Sequence, residues 1–177
     1  VQLNSTTNGF TIRQATLKQG ESYEFYIKSY TNGPVRATIA WNDPPAIVMA
    51  APNGRISLNN RTPMLINDLD IRMYEVLNNG TTALNKVYHP FVLDPATPAE
   101  EANFGDNVVD NVEQINFKAV NTYLPGQFSF VYKVVIKQKG TLTGGKQDFA
   151  LLVSGASEVL LAPKQVKVAT NGINPKG

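Results

Sequence analysis

Apolar residues in this chain recur at every second position. Examples are Tyr23, Phe25 and Ile27; Val35, Ala37, Ile39 and Trp41; Phe128, Phe130, Tyr132, Val134 and Ile136; and Phe149, Leu151 and Val153. Side chains on an extended backbone alternate between two faces, so each run presents one apolar face to a core and one face to water. Segments of this kind, bounded by Gly, Pro, Asn or Asp, cover residues 10–17, 21–29, 35–41, 66–76, 87–92, 112–119, 126–138 and 147–154. Helical periodicity over comparable lengths is nearly absent. The pattern therefore predicts an all-β protein, a jelly-roll β-sandwich of about eight antiparallel strands. Loops of very unequal length favour that topology over an up-and-down barrel with uniform hairpins.

Two connections, residues 42–65 and 93–111, are long enough to suggest a functional role. Residues 98–103 have the composition of a short helical turn. Beyond Ser154 the chain becomes rich in Pro, Gly, Asn and Lys, so the jelly-roll domain is expected over residues 1–155 and a linker, or the start of a following segment, over 156–177. A length of 177 residues suits one domain with a real core. The chain begins at Val1-Gln2-Leu3 without an initiator Met, which reads as a piece of a longer protein.

Charge removes several classes of partner. Lys and Arg total 16 against 14 Asp and Glu, for a net charge of +2, and the basic residues are scattered, so no nucleic-acid footprint is present. No apolar run approaches the roughly 20 residues that cross a bilayer, and no membrane partner is expected. A monomer is expected. Cysteine is absent, which excludes disulfides, thiolate catalysis and Cys-ligated zinc without fixing the compartment. Sequons at Asn4, Asn60 and Asn79 carry little weight in an Asn-rich chain.

The single histidine, His89 in "YHPF", has no adjacent nucleophile or orienting carboxylate, and none of the common hydrolase, metalloprotease or nucleotide-binding motifs occurs. The residues thus predict a non-catalytic domain. The acidic side chains are less bland. In "LINDLDIRMYE", Leu65, Leu69, Ile71 and Met73 share one strand face with Asn67, while Asp68, Asp70 and Arg72 share the other. Asp68 and Asp70 stand about 7 Å apart at Cα. They either face water beside Arg72 or lean toward one ion. In "FGDNVVDNVEQINF" a second group contains Asp106, Asn107, Asp110, Asn111 and Glu113, with Glu113 leading the inward row of Ile115 and Phe117. That segment is either a polar loop whose Asn and Asp make turns or part of a ligand set. A lone buried carboxylate is costly unless paired or coordinated, and calcium takes six to eight oxygens of this kind at about 2.3–2.6 Å. Tyr26 and Tyr30 fall on the parity opposite to Phe25 and Ile27, and Tyr123 sits in a turn, so these tyrosines are candidate contacts for a partner.

Four segments, "VRATIAWNDPP", "LINDLDIRMYE", "DNVVDNVEQI" and "KGTLTGGKQDFALLVSG", occur in the order in which they resemble the β-jelly-roll domain that follows the catalytic domain of secreted bacterial subtilisin-like (S8) serine proteases, in the Bacteroidetes versions above all. The resemblance runs from about Phe10 to Gly155. It implies an architecture related to the P-domain of proprotein convertases, a non-catalytic role beside a protease, secretion, and calcium binding. Position by position it makes Asn67, Asp68 and Asp70 one part of a calcium site and Asp110, Asn111 and Glu113 another, with Asp106 in a loop longer than in the simplest relatives. The subtilisin Asp, His-Gly and Gly-Thr-Ser elements are missing. The expected function is an accessory domain that binds insoluble protein substrate such as collagen, through Tyr26, Tyr30 and Tyr123, and so aids its degradation by the protease catalytic domain. Two alternatives are a calcium-bound structural module that stabilises the protease or assists its folding, and a carbohydrate-binding jelly roll. The last ranks lowest because the only tryptophan, Trp41, lies on an inward row.

Overall fold

A computed structural model describes residues 5–7, 9–29, 32–46, 62–76, 82–119 and 131–159 of the chain. Twelve strands form in these residues: β1 (Ser5–Thr7), β2 (Phe10–Lys18), β3 (Ser22–Lys28), β4 (Gly33–Trp41), β5 (Asp68–Val76), β6 (Thr82–Tyr88), β7 (Phe91–Val92), β8 (Asn103–Phe104), β9 (Val112–Ala119), β10 (Val131–Lys139), β11 (Lys146–Ser154) and β12 (Ser157–Val159). Two five-stranded sheets face each other, one ordered β1-β2-β11-β4-β9 and the other β12-β3-β10-β5-β6, beside a two-stranded ribbon of β7 and β8. Every pairing is antiparallel. The chain alternates between sheets from β2 to β5 and again from β9 to β12. Early strands meet late ones in reverse order: β4 with β9, β3 with β10, β2 with β11. That nesting is the jelly-roll arrangement the alternation predicts.

The inward rows make the core. Val35, Ala37, Ile39, Ile115, Leu151 and Val153 from the first sheet oppose Ile27, Leu69, Ile71, Met73, Val134 and Ile136 from the second, all at or near zero exposure. Trp41 is buried, on the inward row its parity predicts. Burial of side chains this size stabilises by about 1.5–3 kcal/mol each before entropy is subtracted. At one end of the core, Tyr88 stacks on Phe117 at 3.9 Å and Tyr132 meets both rings edge-on.

Several boundaries differ from the sequence expectation. The segment expected at 87–92 is broken at His89-Pro90, because proline cannot donate to a ladder; β6 ends before it and β7 begins after it. Residues 98–103 form turns rather than a helix, with Thr97 N–H on Asp94 O and Glu100 N–H on Thr97 O. The long loop is doubled back: Phe91 stacks on Phe104 at 4.9 Å across β7 and β8, and Gly105 N–H donates to Pro90 O. Residues 157–159 belong to the sandwich, not to a linker, since β12 pairs with β3. Three residues are too few to carry a readable alternation. Gly155 makes the transfer between sheets, at φ 78° and with its N–H on Gly9 O.

Candidate functional site

Asp68 and Asp70 stand on the outer face of β5, as their parity predicts. Because β10 pairs with β5 in register, Lys139 lies opposite Asp68 and Lys137 opposite Asp70. The Lys139 ammonium is 3.5 Å from Asp68, 3.2 Å from Asp70 and 2.5 Å from Asp106, which the folded-back loop brings over the strand. Arg72 reaches Asp70 at 3.1 Å and Asp106 at 2.5 Å, and its other amino group donates to Ile71 O at 2.8 Å. Three carboxylates thus surround two cations. The contacts of Lys139 are close charge contacts without aligned hydrogen bonds, and Asp68 Oδ1 and Asp70 Oδ1 are left without a hydrogen-bond partner.

Directly beneath, Glu113 is fully buried at the start of β9. Its Oε2 crosses the sandwich to accept from Ile71 N–H on β5 at 2.7 Å. The reason lies in the sheet edge. β6 pairs with β5 only from Met73 onward, so among the described residues the first half of β5 has no strand on that side, and a carboxylate from the opposite sheet takes the hydrogen bond that a strand would accept. Glu113 Oε1 has no hydrogen-bond partner among the described residues.

Burial sets the protonation of this cluster. It pushes the Glu113 carboxyl up to about 8, against the bond from Ile71 and helped by the charge of Asp70. It pushes Asp70 up to about 6, against Arg72. Asp68 is raised by burial against the pull of Lys139. For Asp106 burial acts in the same sense, but contacts from Lys139, Asp70 and Arg72 outweigh it and hold the carboxyl at about 2.

Asn67 faces the other way, buried as its parity requires. Its Nδ2 donates to Gln147 Oε1 at 2.7 Å and its Oδ1 accepts from Thr143 N–H at 2.8 Å. Gln147 in turn donates to Asn42 O at 3.0 Å, and the Asp43 carboxylate accepts from the backbone of Ile66 and Asn67 at 2.7 Å each. These bonds tie the start of β5 to the end of β4 and the turn before β11. Replacing Asn67 by Ala is expected to strand the buried Gln147 Oε1 at about 1–3 kcal/mol and to remove the acceptor of the part-buried Thr143 N–H, lowering the urea midpoint clearly below the wild-type value. An unchanged midpoint would refute this role.

Of the seven residues expected at a calcium site, Asp68, Asp70, Asp106 and Glu113 come together. Asn67 does not join them, and its amide is committed on the opposite face. Asn111 donates to Trp41 O at 2.6 Å while its own carbonyl accepts from Trp41 N–H, closing the β4–β9 ladder. Asp110 is exposed, with its N–H on Asn107 Oδ1. Among the described residues no three acidic, His or Cys side chains are gathered as a ready-made metal site. The oxygens are of the type calcium takes, and the unpartnered ones suit it, but the Lys139 ammonium stands where three of the carboxylates converge.

Tyr26 is half-buried on the outer face of the second sheet, beside Lys133 and, beyond it, Tyr74. Tyr30 and Tyr123 lie outside the described residues. His89 is exposed at the break between β6 and β7. The sequence reading missed Lys139, Asp43 and Gln147. Of these, Gln147 was discoverable, because it occupies the inward parity of Phe149 and Leu151.

No protein-family model matches the chain, and no curated protein matches it. The fold and site define a class: a jelly-roll β-sandwich whose acidic strand start is held by a mixed ion-pair cluster over a buried carboxylate.

Proposed function

We propose that this chain is a non-catalytic accessory domain of a secreted subtilisin-like protease, one that binds insoluble protein substrate such as collagen and brings the catalytic domain to it. The observation that carries this reading is the meeting of the two acidic segments among the four that carry the resemblance. Asp68 and Asp70 of "LINDLDIRMYE" face Asp106, and Glu113 of "DNVVDNVEQI" bonds the same strand at Ile71. Their chemistry holds strand to strand across the sandwich, which suits a domain that presents a surface. Tethering by such a domain raises the local concentration of substrate without new catalytic contacts.

The buried oxygens of Asp68, Asp70 and Glu113 that lack an aligned hydrogen bond among the described residues, that of Asp70 being held only by charge contacts with Arg72 and Lys139, favour a second reading of the cluster, in which calcium displaces Lys139 and the domain is a calcium-locked module that stabilises its protease. One experiment separates the two. The isolated chain is mixed with insoluble collagen fibres, gelatin and cellulose, with calcium and with a chelator, and sedimented. Saturable capture by collagen is the expected outcome, and loss on chelation would place the acidic cluster in that function. No capture in any condition would overturn the recruitment reading, and a melting temperature raised by calcium would then support the structural one.

A further inference from the structure

Lys139 brings an amine against a carboxyl group at a place where neither is well served as an ion. Its Nζ is buried and has no aligned hydrogen bond among the described residues, although it stands 3.2 Å from Asp70 Oδ1. That oxygen is buried and unaligned in the same way, on a side chain only 13% exposed. Charges held like this bear the cost of leaving water without the hydrogen bonds that normally offset it. Register explains the approach. Lys139 is paired with Asp68, so Asp70 is its diagonal neighbour, at a separation of about 7–8 Å that a long side chain spans by leaning along the strand.

Glu113 adds a third group. It is fully buried, its Oε2 is fixed by the N–H of Ile71, one residue from Asp70, and its Oε1 has no hydrogen-bond partner among the described residues. The two carboxyls are near enough for the charge of Asp70 to act on Glu113. An amine, a carboxyl and a second buried carboxyl with a free oxygen are the parts of an acyl transfer: nucleophile, acyl group and proton carrier.

We infer that Lys139 and Asp70 condense into an intramolecular amide, an isopeptide cross-link between β10 and β5, with Glu113 carrying the proton. The ion-paired arrangement described above is the chain before this step. A proton first passes from the Lys139 ammonium to the Asp70 carboxylate, leaving a neutral amine and a carboxylic acid. The Nζ lone pair then attacks Asp70 Cγ and forms the N–C bond. Glu113 takes a proton from the nitrogen and delivers one to the departing hydroxyl, the C–O bond breaks, and one water leaves. An ammonium and a carboxylate thus become a neutral amide and a water, with no co-reactant. Holding the amine against the carboxyl supplies the proximity that the bimolecular reaction lacks in solution. Arg72, 3.1 Å from Asp70 Oδ1, is placed to stabilise the negative charge that this oxygen gathers during attack.

Exposure selects Asp70 among the three carboxyls around Lys139. Asp106 is closer, at 2.5 Å, but its side chain is 53% exposed, where water solvates the carboxylate and favours the ion over the amide. Asp68 is farther, at 3.5 Å. The amide would close the chain from residue 70 to residue 139. In a sequence without cysteine no disulfide can impose such a constraint.

The test is the intact mass of the folded full chain, kept at neutral pH with a chelator so that no metal competes for the carboxylates. The expected mass is one water below that of the sequence. Trypsin should release residues 62–72 joined to residues 138–146, because Arg61, Arg72, Lys137 and Lys146 are cut and an acylated Lys139 is not. Fragment ions should place the bond at Asp70. Lys139→Arg keeps the charge but has no primary amine, and Asp70→Ala has no acyl group, so both should show the full mass. Glu113→Gln keeps an acceptor for Ile71 N–H, and its linked fraction should fall by about tenfold or more over the same incubation. A wild-type chain still at full mass after prolonged incubation would overturn the cross-link, however the variants fold. Water lost within residues 62–72 alone, as a cyclic imide, would overturn it too. A bond found at Asp68 or Asp106 would overturn the choice of Asp70, and a Glu113→Gln chain linked as fully as wild type would overturn the role of Glu113.

Discussion

Replacement of Gly155 by alanine is expected to cost about 4 kcal/mol or more, which would remove most of the stability of a domain at the lower end of the usual range of about 5–15 kcal/mol. Two penalties combine. Gly155 has φ 78°, where an L side chain costs roughly 1–2 kcal/mol. A Cβ there would also overlap the Pro34 carbonyl oxygen, a backbone atom of the β4 ladder that cannot move aside. Gly144 supplies the control, since it has the same φ but open space around its missing Cβ. Gly144→Ala should therefore show the conformational penalty alone, about 1–2 kcal/mol. Urea unfolding of both variants reads the difference directly. Equal midpoints would mean that the close approach to Pro34 is absent in solution.

The second large effect concerns Glu113 and has a pH signature. In the unfolded chain this carboxyl titrates near its ordinary value of 4.5, and in the folded chain near 8. Between those values the folded state holds a proton that the unfolded state has released. Stability therefore falls as pH rises through that window, by up to about 1.4 kcal/mol per unit, and levels off above it. Asp70 acts in the same direction between 3.8 and about 6. Asp106 acts oppositely, because its folded value is depressed; the stability it supplies above 3.8 is lost as pH falls toward about 2. The wild-type domain should be clearly more stable at pH 5 than at pH 8 in the presence of a chelator. Glu113→Gln keeps an acceptor for Ile71 N–H but removes the titration, so its midpoint should change much less between the two. Glu113→Ala strands that N–H and leaves a cavity, and it should be destabilised at both. A Glu113→Gln chain that retains the full wild-type slope would assign the effect elsewhere.

Much of the fold is legible in the sequence, because strand period and core burial are the same physical fact seen twice. Val35, Ala37, Ile39 and Trp41 alternate in the chain and are the buried row of β4. The parity argument also puts Asn67 inside and Asp68 and Asp70 outside, and raises the puzzle of an inward Glu113, all of which the fold contains. Parity cannot supply partners. That Lys139 faces Asp68 follows from the register of β10 on β5, and register depends on pairing between segments far apart in the chain. Asn67 illustrates the same limit: its burial was readable, but Gln147 and Thr143 reach it only after β11 is placed between β2 and β4.

The nested pairing also fixes the order in which the domain can be completed. β11 is the sole link between β2 and β4, and β10 the sole link between β3 and β5, so in each sheet an interior strand is among the last to be synthesised. Arg13 and Glu158, which form an ion pair, are 145 residues apart in the chain. Until residues 131–154 emerge, β3 and the β4–β9 pair have no route into a finished sheet. Such non-local topology slows folding into the millisecond-to-second range and leaves unpaired strand edges exposed meanwhile. A chain cut before β10 would lack the joining strand of both sheets, so this sandwich forms nearly whole or not at all.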